Sequence, residues 1–234
     1  MNADLAPSSN SQEAQWNTYW EKQNASGRLY GRIASFYRRV IIAPSVKRAI
    51  KQRLGNGTCV LHVGAGSGEI DALLPNSWSL FSIDFSSAAI GKNRRLQRSI
   101  GRTAIAVQAD MFTLPFATSR FDVVFNLGVM EHFSDDEVVD SLLEMNRVLA
   151  PSGHIIMYWP PVWGPTVIVL HLVAAALRLA RKSKAQLHPP EINLFRSRRR
   201  CRQLLSRAGL QSVSFSYGPH DLFTHVVIVA NRVP

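Results

Sequence analysis

Cys59-Val60-Leu61-His62-Val63-Gly64-Ala65-Gly66-Ser67-Gly68 is the stretch on which the fold turns. Its first five residues form a short, mostly apolar run of the kind that fills a strand buried on both faces. Three glycines at alternate positions then end the run. Glycine lets the backbone turn sharply and lets a ligand approach the main chain closely. The amide groups that open a following helix favour an anionic group. Outward from this point the rhythm repeats. Residues 79–83, 104–108, 121–126 and 153–158 read as further strands, and 69–74, 86–99 and 134–149 as the helices between them. The last of these opens with Ser134-Asp135-Asp136-Glu137, the spacing of a capping box. Strands that alternate with helices predict a mostly parallel sheet covered on both faces. The C-terminal end differs: 210–217 and 224–230, joined by Gly218-Pro219-His220-Asp221, predict an antiparallel hairpin at the sheet edge.

Two acids follow the glycines at telling positions. Asp84 ends the second strand, 20 residues after Gly64, where a carboxylate can hold both hydroxyls of a ribose. Enzymes of NAD and of S-adenosylmethionine (SAM) share that feature. The dinucleotide fingerprint places its third glycine at what is here Glu69, whereas this chain has it at Gly68. Asp110-Met111 ends the third strand, offering an acceptor for an adenine amino group and an apolar side chain for the ring.

At these residues the chain resembles the class I SAM-dependent methyltransferases, and within them the type 11, ubiquinone/menaquinone-like group. The resemblance rests on 60–68, on Ile83-Asp84-Phe85-Ser86, and on Ala109-Asp110-Met111 followed by Leu114-Pro115-Phe116. It continues through Phe121-Asp122-Val123-Val124 with Glu131-His132, and through Leu149-Ala150-Pro151-Ser152-Gly153. It covers about residues 56–160, and more weakly 191–234. It implies an α/β, three-layer Rossmann-like sandwich. The sheet is seven-stranded and mostly parallel, with an antiparallel C-terminal hairpin strand and an N-terminal helical cap. By the same resemblance Gly64, Ala65, Gly66 and Gly68 face the methionine part of SAM and Asp84 holds the ribose. Phe85 and Met111 flank the adenine, Asp110 meets its amino group, and Asn126 and Leu127 lie near the sulfonium. His62 stands where the family usually has an acid that supports the loop and contacts the methionine amino group. A histidine can hydrogen-bond there without a fixed negative charge.

Methyl transfer from a sulfonium is an in-line displacement, so alignment is most of the protein's task. Where the acceptor is a hydroxyl or an acidic carbon, a base helps. His132 is the candidate base, with Glu131 beside it just after strand four, at the carboxyl edge where such sheets bind ligands. Both residues also have structural readings: a histidine at a helix entry, and a glutamate on backbone amides. No HExxH or CxxC occurs, so a metal site is not expected.

The chain has 234 residues, 46% of them hydrophobic, which excludes a disordered polymer. Two cysteines, Cys59 and Cys201, exclude a disulfide framework and fit a reducing compartment. The N-terminus has neither a basic nor an apolar signal region, so a cytoplasmic location is expected by default. Residues 1–54 read as a frayed tail (1–14) and a helical cap, broken near Ala43-Pro44-Ser45. Residues 55–234 read as the methyltransferase domain, with 160–190 inserted as a substrate lid. Net charge is +11, and 178–207 carries ten basic residues against Glu191 alone. Such a run is a face for phosphate, nucleic acid or anionic lipid, or a plain solvated helix. Residues 166–182 are amphipathic, with tryptophans before them and basic residues after. They fit peripheral membrane contact, or a lid packed on the protein's own core.

The expected function is methyl transfer from SAM to a small-molecule or lipid-like acceptor. The rival is a methyltransferase-like binding module without turnover. Nucleic acid as substrate ranks below both. Amino-methylating DNA enzymes place a Pro-Pro-aromatic motif after strand four, where this chain has Asn126-Leu127-Gly128, and Trp159-Pro160-Pro161 follows strand five instead.

Overall fold

The computed structural model describes residues 9–22, 35–55, 57–165 and 191–233. Among the described residues seven strands form one sheet: β1 Cys59–Val63, β2 Ser79–Asp84, β3 Ile105–Gln108, β4 Phe121–Leu127, β5 Leu149–Trp159, β6 Leu210–Ser216 and β7 Val226–Arg232. Their order is β3-β2-β1-β4-β5-β7-β6, with β7 antiparallel to both of its neighbours. The chain direction through the sheet therefore reverses between β1 and β4. That is the switch point where open α/β sheets leave a crevice at their carboxyl edge.

Side-chain alternation along each strand divides the core into two. Leu61, Val63, Val124, Ile155 and Met157 face α4 (Asp135–Val148) and α5 (Arg198–Arg207), meeting Leu142, Met145, Leu204 and Leu205. Val60, Leu80, Phe125, Ile156 and Tyr158 face α2 (Ala43–Lys51), meeting Val46 and Ile50. The helix α3 (Ser87–Ser99) begins where the Ser86 side chain accepts from Ala89 N. The capping box at Ser134 is complete, with Glu137 reaching back to the Ser134 amide.

Several expectations need correction. Residues 9–14 lie within α1 (Ser9–Lys22), not in a frayed tail. No break falls at Pro44, because a π-helical turn, Arg38–Ile42, runs straight into α2. Pro44 sits in the first turn of α2, where its missing N–H has no partner to lose. Residues 69–74 form only a 3₁₀ turn at Asp71–Leu73. Pro75 disfavours helix at Leu74, and Leu74 is extended. The terminal hairpin, by contrast, stands at the sheet edge as expected, with β7 against β5 and β6 as the outer strand. Most of the expected lid, and all of the 166–182 membrane segment, lie outside the described residues. Among the described residues no helix is long and apolar enough to cross a membrane.

Candidate active site

The glycine loop is held by strand β2. Gly64 N and Ala65 N donate to Ile83 O at 2.9 and 2.8 Å. Asp84 ties the two ends of the crevice together, accepting from Gly66 N on one carboxylate oxygen and from Ser86 N on the other, both at 2.9 Å. Burial pushes the Asp84 carboxyl above its usual range, and these two amides pull the other way. Gly64 has φ +74°, and a methyl group there would lie 2.5 Å from Val129 Cγ2. Only glycine fits that combination of backbone and space.

Beneath the loop His62 is buried and stacked on Phe125, ring centroids 4.1 Å apart. Its Nδ1 lies 2.7 Å from Asp71 Oδ1, and the other Asp71 oxygen accepts from Ser82 Oγ at 2.6 Å and from Asn93 Nδ2 at 3.4 Å. Desolvation raises the Asp71 pKa, but the His62 charge and these donors outweigh it and hold the carboxyl below its usual range. An ionised Asp71 only accepts, so His62 Nδ1 donates to it. His62 Nε2 is buried without a hydrogen-bond partner among the described residues.

Helix α1 lies across the crevice. Asn17 Oδ1 accepts from Ser86 Oγ at 2.6 Å and from Ala88 N at 3.3 Å, at the start of α3. Trp16 meets Phe85 and His132 edge-on, at 6.4 and 5.1 Å. One turn on, Trp20 closes over the loop, so that a methyl group on Gly66 would lie 2.6 Å from its ring. Lys92 donates to Trp20 O from the far side. Gln108 bridges Glu13 and Phe85 O, both at 3.1 Å.

After β4, Asn126 is fully buried, and neither polar atom of its amide has a partner among the described residues. Leu127 is half-buried beside it. Glu131 and His132 form a 3₁₀ turn with Met130, His132 Nε2 lying 4.0 Å from Glu131 Oε1. Burial, with Glu191 adding repulsion, pushes the Glu131 carboxyl up to about 8. Its backbone oxygen accepts from Ile192 N and Asn193 N at 2.8 and 2.9 Å, which stitches the chain after residue 190 to this turn. Asp110 is exposed and accepts from Phe112 N at 3.0 Å, while Met111 is buried in the main core.

The structure thus gathers the glycines, Asp84, Phe85, Asn126, Glu131 and His132 around one crevice. Trp16, Asn17, Trp20, Asp71 and Asn93 belong to it too, and sequence reasoning missed them. Trp16 and Trp20 carried a visible four-residue spacing, which places them on one helix face without saying what that face meets. Asp71 carried no such signal.

Residues 61–157 match the methyltransferase-domain family. In that stretch the chain is similar to the class I SAM-dependent methyltransferases. SAM is the cofactor of that class, and the crevice fits it. At Gly64, Gly66 and Gly68 the absent Cβ lets Val129, Trp20 and Asn93 pack against the loop, and among the described residues the buried amide of Asn126 and Nε2 of His62 have no partner and are available to a ligand. The ubiquinone/menaquinone biosynthesis C-methyltransferase UbiE of Azotobacter vinelandii is 29% identical over 107 residues, 43% of this chain and 42% of that protein. A probable tRNA methyltransferase 9B of Mus musculus is 42% identical over 55 residues, 23% of this chain and 12% of that one. The chain spans less than half the length of these relatives. In fold it is similar to the 1,6-didemethyltoxoflavin-N1-methyltransferase of Burkholderia thailandensis, solved with that compound and S-adenosylhomocysteine. The TM-score is 0.68, at 16% identity over 100% of this chain and 94% of that one.

Proposed function

We propose that this chain transfers a methyl group from SAM to a small-molecule or lipid-like acceptor. The observation that carries the reading is one juxtaposition. The glycine loop closing β1 and the buried Glu131–His132 turn after β4 face each other across the switch point of the sheet. The small-molecule methyltransferases among the relatives and fold neighbours support the acceptor class, and the tRNA-related match is too short to argue against it.

SAM, when bound, supplies a methyl group already activated on a sulfonium. The chain's residues bind, orient and exclude water. Gly64, Ala65, Gly66 and Gly68 receive the methionine part, and His62 Nε2 offers it a polar contact. Asp84 takes the ribose, and Phe85, Asp110 and Met111 take the adenine. Asn126 and Leu127 flank the reacting end. Trp16 and Trp20 wall the crevice from solvent, which strengthens every electrostatic contact inside it. His132 is the base for a protic acceptor at neutral pH, where Glu131 still holds its own proton. Above about pH 8 Glu131 ionises and adds its charge.

Calorimetric titration with SAM, followed by transfer of radiolabelled methyl to fractionated cell extract, tests this. SAM binds, and Asp84→Ala weakens binding about tenfold or more, the cost of a charged hydrogen-bond acceptor lost from a buried site. His132→Ala lowers turnover on a protic acceptor while SAM still binds. Absence of binding heat, or an unweakened Asp84→Ala protein, overturns the proposal. Binding without transfer to any fraction makes the chain a binding module instead.

A further inference from the structure

The connection between β6 and β7 contains two consecutive bulky residues, Leu222 and Phe223, both at φ +58°. Side chains this large seldom adopt the left-handed region, and such strain persists only where surrounding structure enforces it. Here the enforcement is visible. Asp221, fully buried, accepts from His225 N at 2.9 Å and from Thr224 Oγ1 at 3.3 Å. Tyr37 Oη, from the segment leading into α2, donates to Asp221 O at 3.2 Å. Leu222 N donates to Pro219 O and Phe223 N to Gly218 O.

What this clamp achieves is exposure. Leu222 is 52% and Phe223 44% accessible. Phe223 is the first of a row of rings. It meets Tyr217 at 5.5 Å, Tyr217 meets Trp163 at 6.4 Å, Trp163 meets Phe195 at 5.9 Å, and Phe195 meets Phe215 at 6.2 Å. Trp163 is itself 45% exposed. The row ends under cations: the guanidinium groups of Arg198 and Arg202 lie 5.7 and 5.5 Å from the Phe215 ring. Because β6 runs parallel to β5 through the antiparallel β7, Trp163 and Tyr217 leave the sheet at the same edge as the glycine loop.

We propose that this edge docks on an anionic lipid surface, with Leu222, Phe223 and Trp163 entering the headgroup region and Arg198 and Arg202 meeting lipid phosphates. Tryptophan and tyrosine favour that interface because one end of each ring system is apolar and the other polar. Arginines beside apolar anchors add attraction to anionic headgroups. Charge selects lipid as the occupant: the one acid of the β6–β7 connection, Asp221, is buried, and the whole chain carries +11. The inference rests on the strained loop and the ring row, not on methyl transfer. Vesicle binding without turnover keeps it, and turnover without vesicle binding removes it.

The test is sedimentation of the full chain with unilamellar vesicles of phosphatidylcholine, with and without phosphatidylglycerol, at low and high salt. The protein sediments with the anionic vesicles and is released by salt. Leu222→Asn with Phe223→Asn tolerates the left-handed backbone while removing the apolar tip. That variant melts no lower than the wild type, yet loses vesicle binding by about tenfold or more. Trp163→Phe abolishes the part of the tryptophan quenching by brominated lipid that Trp163 supplies. Wild-type protein left in the supernatant at low salt, equal binding to neutral vesicles, or undiminished binding by the double variant each overturns the proposal. So does a concentration-dependent dimer that the double variant abolishes in the absence of vesicle binding, because the patch then pairs two copies of the chain.

Discussion

Asp71 and Glu131 are both fully buried carboxylates within the same crevice, yet they titrate in opposite directions. Asp71 lies under the glycine loop among three side-chain donors, His62, Ser82 and Asn93, and is held ionised. Glu131 follows β4, where its Oε2 finds no donor among the described residues and its pKa rises to about 8. Burial penalises charge at both sites, and what differs is the company: the His62 charge and three donors at Asp71, Glu191 repulsion at Glu131. A carboxylate given donors becomes scaffold, and one denied them keeps a proton that it can exchange near physiological pH.

The comparison breaks hardest at Asp71. Asp71→Ala strands His62 and Ser82 in the interior, with an expected loss of about 3–5 kcal/mol in denaturant unfolding. A loss below about 1 kcal/mol would mean that the network is not holding the loop. The two acids also predict opposite dependences on pH. Asp71, with its folded pKa depressed, contributes stability that is present above the ordinary carboxylate range and lost as pH falls through the folded pKa. Glu131, with its folded pKa raised, contributes stability that is full below the unfolded value and lost as pH rises toward about 8. Glu131→Gln should therefore flatten the decline in stability from about pH 5 to pH 8, by at most about 1.4 kcal/mol per pH unit. An unchanged slope in pH-dependent unfolding would remove Glu131 as the titrating group. The smallest effect sharpens the assignment. Ser134→Ala deletes the cap of α4 three residues beyond Glu131 and costs about 1 kcal/mol in thermal unfolding. It should shift the whole stability curve down without changing its slope.

Sequence reading reached one side of this crevice far better than the other. The glycine loop, Asp84 and the capping box at Ser134 are local: their spacing is their mechanism, and each appears where it was expected. Glu131 and His132 were legible as candidates, but not the burial that raises the Glu131 pKa, because that depends on how the chain after residue 190 folds back onto Glu131 O. Residues 9–14 read as a polar tail, whereas they open the helix that sets Trp16, Asn17 and Trp20 against Phe85, Ser86 and Gly66. Residues 69–74 read as a helix because their composition permits one, and the turning of Asp71 toward His62 is a tertiary event.

By itself the sequence determined the alternation of strand and helix, the place of the glycine turn and the acid that ends β2. Those features are written in short-range periodicity and in the unique backbone freedom of glycine. Tertiary structure decided that β7 enters between β5 and β6, that Trp16 and Trp20 close the crevice, and that one buried acid is charged while the other is not. Each of those outcomes depends on partners that only the fold brings within hydrogen-bonding or van der Waals distance, and no local pattern records them.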